Sequence, residues 1–122
     1  DRLDDKSQSW IEAIEEALTM TGDTKTGHFE AESNRLKGDI LLKQGADRSD
    51  VERSYQNAID TARKQKAKWW ELRATVSLAR LWRDQGRADE ARQRLSEIFN
   101  WFTEGFDTLD LKEAKALLDE LG

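Results

Sequence analysis

Arginines are the residues of this chain best placed to do chemistry. Arg73, Arg80 and Arg83 (or Asp84) can share one side of a helix that also carries the small residue Ala79, and Arg35, Asp39 and Leu42 take equivalent places about 40 residues earlier. A guanidinium is a planar fork that matches a carboxylate or a phosphate, so this stripe suits an acidic peptide or an acidic neighbouring domain. Ion pairs with adjacent helices are the other use of the same charges, and spacing alone leaves both open.

No catalytic constellation accompanies the arginines. His28 is the single histidine. It sits near a helix start, without a serine, cysteine or metal-ligand partner at a productive spacing, so a surface or capping role is expected. The absence of cysteine excludes disulfides, thiolate metal sites and a thiol nucleophile. Acidic pairs such as Asp4-Asp5, Glu15-Glu16 and Asp119-Glu120 are adjacent in sequence, so on a helix they splay apart and read as solvated charges. The glycines form neither GxGxxG nor a phosphate loop. The expectation is a protein that is not an enzyme, with no metal and no cofactor.

The elements that must position these residues are helices. There is no proline among the 122 residues, and Ala, Leu, Glu, Lys, Arg and Gln are abundant. Apolar residues make up 37% and charged residues another 37%, enough for one well-segregated core under an ionic surface. Periodicity and punctuation predict six helical segments, at about 6–20, 28–44, 49–66, 68–85, 88–104 and 109–121. Ser49 with Glu52, and Asp110 with Glu113, stand at capping-box spacing. Gly45, Gly86 and Gly105 close three of the segments.

A helix pair recurs. "GDILLKQG" (38–45) aligns with "ARLWRDQG" (79–86), and Val51, Tyr55 and Ala58 align with Ala91, Leu95 and Ile98 and with Trp10, Ile14 and Ala17. A small residue, a large one three later, a turn glycine, then Ala and a bulky residue is the tetratricopeptide pattern. It runs here as a half repeat (1–27), two repeats (28–67 and 68–104) and a closing helix (105–122). Asn34 and Lys37 depart from it, and both repeats exceed the usual period by six residues. The fold expected is all-α: a solenoid of antiparallel helix pairs, about six helices, whose last folds back over Phe99, Phe102 and Phe106 as a cap. The core expected is Trp10, Tyr55, Trp82, Leu95, Ile98, Phe102, Phe106 and Leu118. In such an array Arg35, Asp39, Arg73, Arg80 and Arg83 line the concave groove.

The stretches "ELRATVSLARLW" (71–82), "QGRADEAR" (85–92) and "WFTEGFDTLDLKEAKALLDEL" (101–121), with "AESNRLKGDILLKQG" (31–45), carry a more specific likeness. Over about residues 28–122 the chain resembles the C-terminal tetratricopeptide region of large bacterial proteins. Those proteins join a class III nucleotide cyclase domain, or another effector, to a signal-transduction ATPase. The resemblance implies a regulatory tail that contacts other domains of its parent protein, in the cytoplasm. The start at Asp1 without a methionine fits a piece of something longer.

Charge refines the choice of partner. Residues 1–62 carry 8 basic and 14 acidic side chains, 63–95 carry 10 and 4, and 96–122 carry 2 and 7. A cationic middle third beside Trp69-Trp70 admits nucleic acid through phosphate contacts and stacking, while the acidic flanks and the formal charge of -5 oppose it. The two adjacent indoles are expected to pack at the junction of the third and fourth segments. A homodimer through Trp10 and Ile14 is a further reading. No run of about 20 apolar residues suits a membrane.

Overall fold

The structure, a computed structural model, describes residues 28–122. The segment expected at 6–20, the half repeat 1–27 and the core and dimer roles of Trp10 and Ile14 lie outside these residues. The described chain is all-helical, with α1 His28–Lys43, α2 Arg48–Lys64, α3 Lys68–Asp84, α4 Ala88–Phe99 and α5 Leu109–Leu121. No strand occurs among the described residues.

Three of the helices end in the same way. The amide of Ala46 donates to the carbonyl of Leu41 (3.0 Å), that of Ala67 to Ala62 (2.9 Å) and that of Arg87 to Trp82 (2.8 Å). In each turn the preceding residue has a positive φ: Gly45 at 75°, Lys66 at 55° and Gly86 at 79°. This is the glycine-favouring Schellman stop, which satisfies the last carbonyls and reverses the chain within three or four residues. Short connections of this kind make consecutive helices antiparallel neighbours.

Helix α3 lies at the centre. It packs against each of the other four described helices, which explains why Leu72, Ala74, Val76, Leu78, Ala79, Leu81 and Trp82 are buried nearly all round it. From α2 come Val51, Tyr55, Ala58, Ile59 and Ala62, and from α4 come Ala91, Leu95 and Ile98. Gly38 of α1 is small for a reason: a Cβ there would stand 2.5 Å from Cε1 of the buried Tyr55 ring. The indole of Trp82 is 6% exposed. Its Nε1 donates to Glu52 at 2.9 Å, and the guanidinium of Arg87 stands 4.5 Å from the ring centroid.

The far end departs from expectation. Helix α4 stops at Phe99 rather than near Glu104. The amides of Trp101 and Phe102 reach back only to Ile98 and Phe99, at 3.1 and 3.2 Å, which tightens the chain out of the helix. Gly105, at φ 81°, and a bond from the Thr108 hydroxyl to the Gly105 carbonyl (2.7 Å) make the next turn. Once the helix unwinds, Phe99 and Phe102 no longer share one helical face, and Phe106 lies beyond the Gly105 turn. Phe102 alone enters the core; Phe106 is 48% exposed and Trp101 57% exposed. The assignment of Phe106 to the core is therefore corrected: it lies against Phe99 at 5.8 Å, at the rim. Helix α5 packs on α3 and α4 through Leu111, Ala114 and Leu117. Leu118, expected in the core, is only partly buried at its edge, because α5 is rotated so that Leu117 takes the inner place.

Candidate protein-interaction face

Side chains from α1, α3 and α5 meet along one face. Arg73 of α3 is at its centre, with Nε 3.1 Å from Oδ1 of Asp110 on α5 and Nη1 3.3 Å from Oε2 of Glu32 on α1. Its guanidinium also lies 5.1 Å from the centroid of Trp70. One row thus runs acid, base, acid across three helices. Two turns further along α3, Arg80 stands 3.7 Å from Glu113, both half-exposed. Arg83 donates to Asp84 at 3.1 Å and to Glu120 at 2.8 Å. Bonding to Asp84, then to Glu120, raises its affinity for the proton.

On α1, Arg35 donates to both oxygens of Glu32, at 2.7 and 2.8 Å, and to Asp39 at 3.1 Å. These contacts, led by the bond to Glu32, hold its pKa above the usual arginine value. Asp39 in turn accepts the Tyr55 hydroxyl at 2.5 Å. Burial first, and then that bond, push the phenol well above the ordinary tyrosine range.

Of the five residues singled out by sequence, Arg35, Arg73 and Arg80 line one cavity of about 230 Å³, together with Ser77, Asp110 and Glu113. Asp39 and Arg83 do not line it; they bond to Tyr55 and Glu120, which lie outside its lining. Ion pairing with neighbouring helices, left open by the spacing, is what Arg73, Arg80 and Arg83 do, whereas Arg35 and Asp39 pair with each other within α1. The half-exposed arginines Arg73 and Arg80 nonetheless keep one side toward the cavity. The Arg80–Glu113 pair, exposed on both sides, is worth little, about 0–1 kcal/mol, so an incoming carboxylate competes with it at small cost.

The residues that sequence reading missed are the acids of α5. Asp110 and Glu113 had the spacing of a capping box, yet the cap residue Thr108 makes no side-chain cap bond and both acids turn to α3. Glu120 had been taken as solvated. The available signal was order: Asp110, Glu113 and Glu120 follow one another along α5 as Arg73, Arg80 and Arg83 do along α3. Glu52 misled in the same way. Asp47 is the cap of α2, without a side-chain cap bond, and Glu52 binds Trp82 and Arg87 instead.

Among the described residues no group of three or more His, Cys, Asp or Glu could hold a metal ion, and no helix is long and apolar enough to cross a membrane. Comparison of the chain with protein-family models, with curated proteins and with solved structures finds no match.

Proposed function

We propose that this chain is a non-catalytic helical-repeat module of the tetratricopeptide type, which binds a protein segment along the α1–α3–α5 face. The observation that carries the reading is the row Glu32–Arg73–Asp110, one position from each of three alternate helices, beside a cavity rimmed by Arg35 and Arg80. Alternate helices meeting in this way suit a superhelix whose first helices line a concave groove. The recurring helix stops at 41–46, 62–67 and 82–87 support a repeated unit. Following the resemblance over about residues 28–122, the partner is an acidic segment of the parent signalling protein, and the module restrains or relays the activity of an attached ATPase and cyclase.

Isothermal titration of the parent's ATPase domain with this chain tests the proposal. Binding is expected, and Arg73→Glu with Arg80→Glu should weaken it by about tenfold or more, as loss of central arginines does at interfaces. Absence of binding, or binding indifferent to both reversals, overturns the groove.

A further inference from the structure

A second concavity, of about 660 Å³, lies where the turn after α2 approaches the chain leaving α4. Among the described residues it is lined by Lys66, Ala67, Lys68, Trp69, Trp70 and Trp101, none of which lines the arginine cavity. Trp69 is 41% and Trp101 57% exposed. Two large rings this exposed on one patch leave apolar contact area open to solvent. They are also held in place: the Trp69 ring stands 4.6 Å and the Trp101 ring 5.1 Å from the buried Phe102, the latter edge-on. A platform fixed before its ligand arrives loses little freedom on binding.

The polar part of the lining is cationic. Lys68 Nζ lies 5.4 Å from the Trp101 centroid, and the lining contains no carboxylate. Glu71, in the same first turn of α3, is buried and held by Arg63 at 3.1 Å and Lys68 at 3.5 Å, so it does not face the mouth. Lys66 adds an independent clue. Of three helix stops with the same hydrogen bonding, two place glycine at the left-handed position and the third places Lys66 there, at φ 55°. A lysine in a conformation that glycine adopts more cheaply, at the edge of an open aromatic cavity, is the kind of local strain found at binding sites.

We propose that this cavity docks a short acidic protein segment in which carboxylates flank an aromatic or aliphatic side chain. The apolar side chain would lie on the indoles of Trp69 and Trp101, and the carboxylates would meet Lys66 and Lys68. Charge complementarity decides the occupant. An extended polyanion such as a nucleic acid would find Arg63 and Lys64 next to the two lysines, but past Trp101 it would meet the stretch 96–122 with its 2 basic and 7 acidic residues, whereas a short segment needs only Lys66 and Lys68. The site shares no lining residue with the arginine groove, although Trp70 lies beside Arg73.

Selection of displayed random short peptides on the intact chain, with counter-selection on the Trp101→Glu variant, tests this. The enriched sequences should carry acidic residues around an aromatic or aliphatic one. A synthetic peptide of that sequence should bind less well as salt rises, and about tenfold less well to Trp101→Ala or to Lys66→Asn with Lys68→Gln. Asn tolerates positive φ, so the second variant keeps the turn even if the first loosens the fold. Failure to enrich any sequence overturns the proposal, as does enrichment of basic ones. So does a selected peptide that binds both variants as it binds the parent chain, or tighter binding of oligo-dT or anionic vesicles than of any selected peptide.

Discussion

The turn after α3 and the turn after α2 share one pattern of backbone bonds, yet they border opposite kinds of surface. Beside Gly86, the indole of Trp82 is closed in: its N–H is bonded to Glu52, Arg87 lies over its face and 6% of the residue is exposed. Beside Lys66, the indoles of Trp69 and Trp101 rest on Phe102, with Lys68 near the Trp101 ring, and remain about half exposed. A tryptophan whose polar handle and both faces are satisfied within the chain contributes to folding. One that is positioned but uncovered has contact area left for something else.

The largest break in that contrast should come from the two rings themselves. Trp82→Ala is expected to cost about 3–5 kcal/mol of unfolding free energy, and Trp101→Ala less than about 1 kcal/mol, both read from urea denaturation. Comparable losses would mean that Trp101 is as much a core residue as Trp82. Next, Gly38→Ala should destabilise by about 1–3 kcal/mol, because the methyl would overlap the enclosed Tyr55 ring. A neutral result would show that the ring can retreat.

Tyr55→Phe probes the same closed side. Losing the bond to Asp39 should cost about 1 kcal/mol at neutral pH. The sign of its pH dependence is fixed by the raised phenol pKa. The unfolded chain releases this proton near the ordinary value of 10.0 while the folded one retains it, so the phenol's contribution is fully present below about pH 10 and is lost as pH rises further. The parent chain should therefore lose stability more steeply than the variant above pH 10, bringing the two curves together. Parallel curves would remove the buried hydrogen bond from the account. The smallest effect sharpens the comparison: Lys66→Gly should stabilise by about 0.5–1 kcal/mol in thermal melts, since glycine relieves the left-handed backbone, while Gly86→Ala destabilises by a similar amount.

Much of the frame was legible in the residues. Gly45 and Gly86 announced their turns, apolar residues spread almost all round 72–82 announced a helix enclosed on several sides, and the alignment of Gly38 with Ala79 announced a small-residue position. The candidate groove was half legible. Arg73, Arg80 and Arg83 were named, but of the α5 acids that meet them Asp110 and Glu113 were given to a cap and Glu120 to solvent, because acids that can cap a helix can equally pair with a neighbouring one. Phe106 was misplaced for a different reason: it follows Gly105, outside even the helix expected at 88–104, so no periodicity could assign it a face, and it lies at the rim against Phe99.

What sequence alone determined was local: helix-favouring composition, the period of apolar residues and the stops where a left-handed residue is cheap. Those follow from backbone sterics and side-chain geometry within a few residues. Tertiary structure decided which ring is covered, which carboxylate each arginine meets and that Leu117 rather than Leu118 points inward. Each of these depends on the rotation and separation of helices far apart in the chain, set by the packing of all of them together.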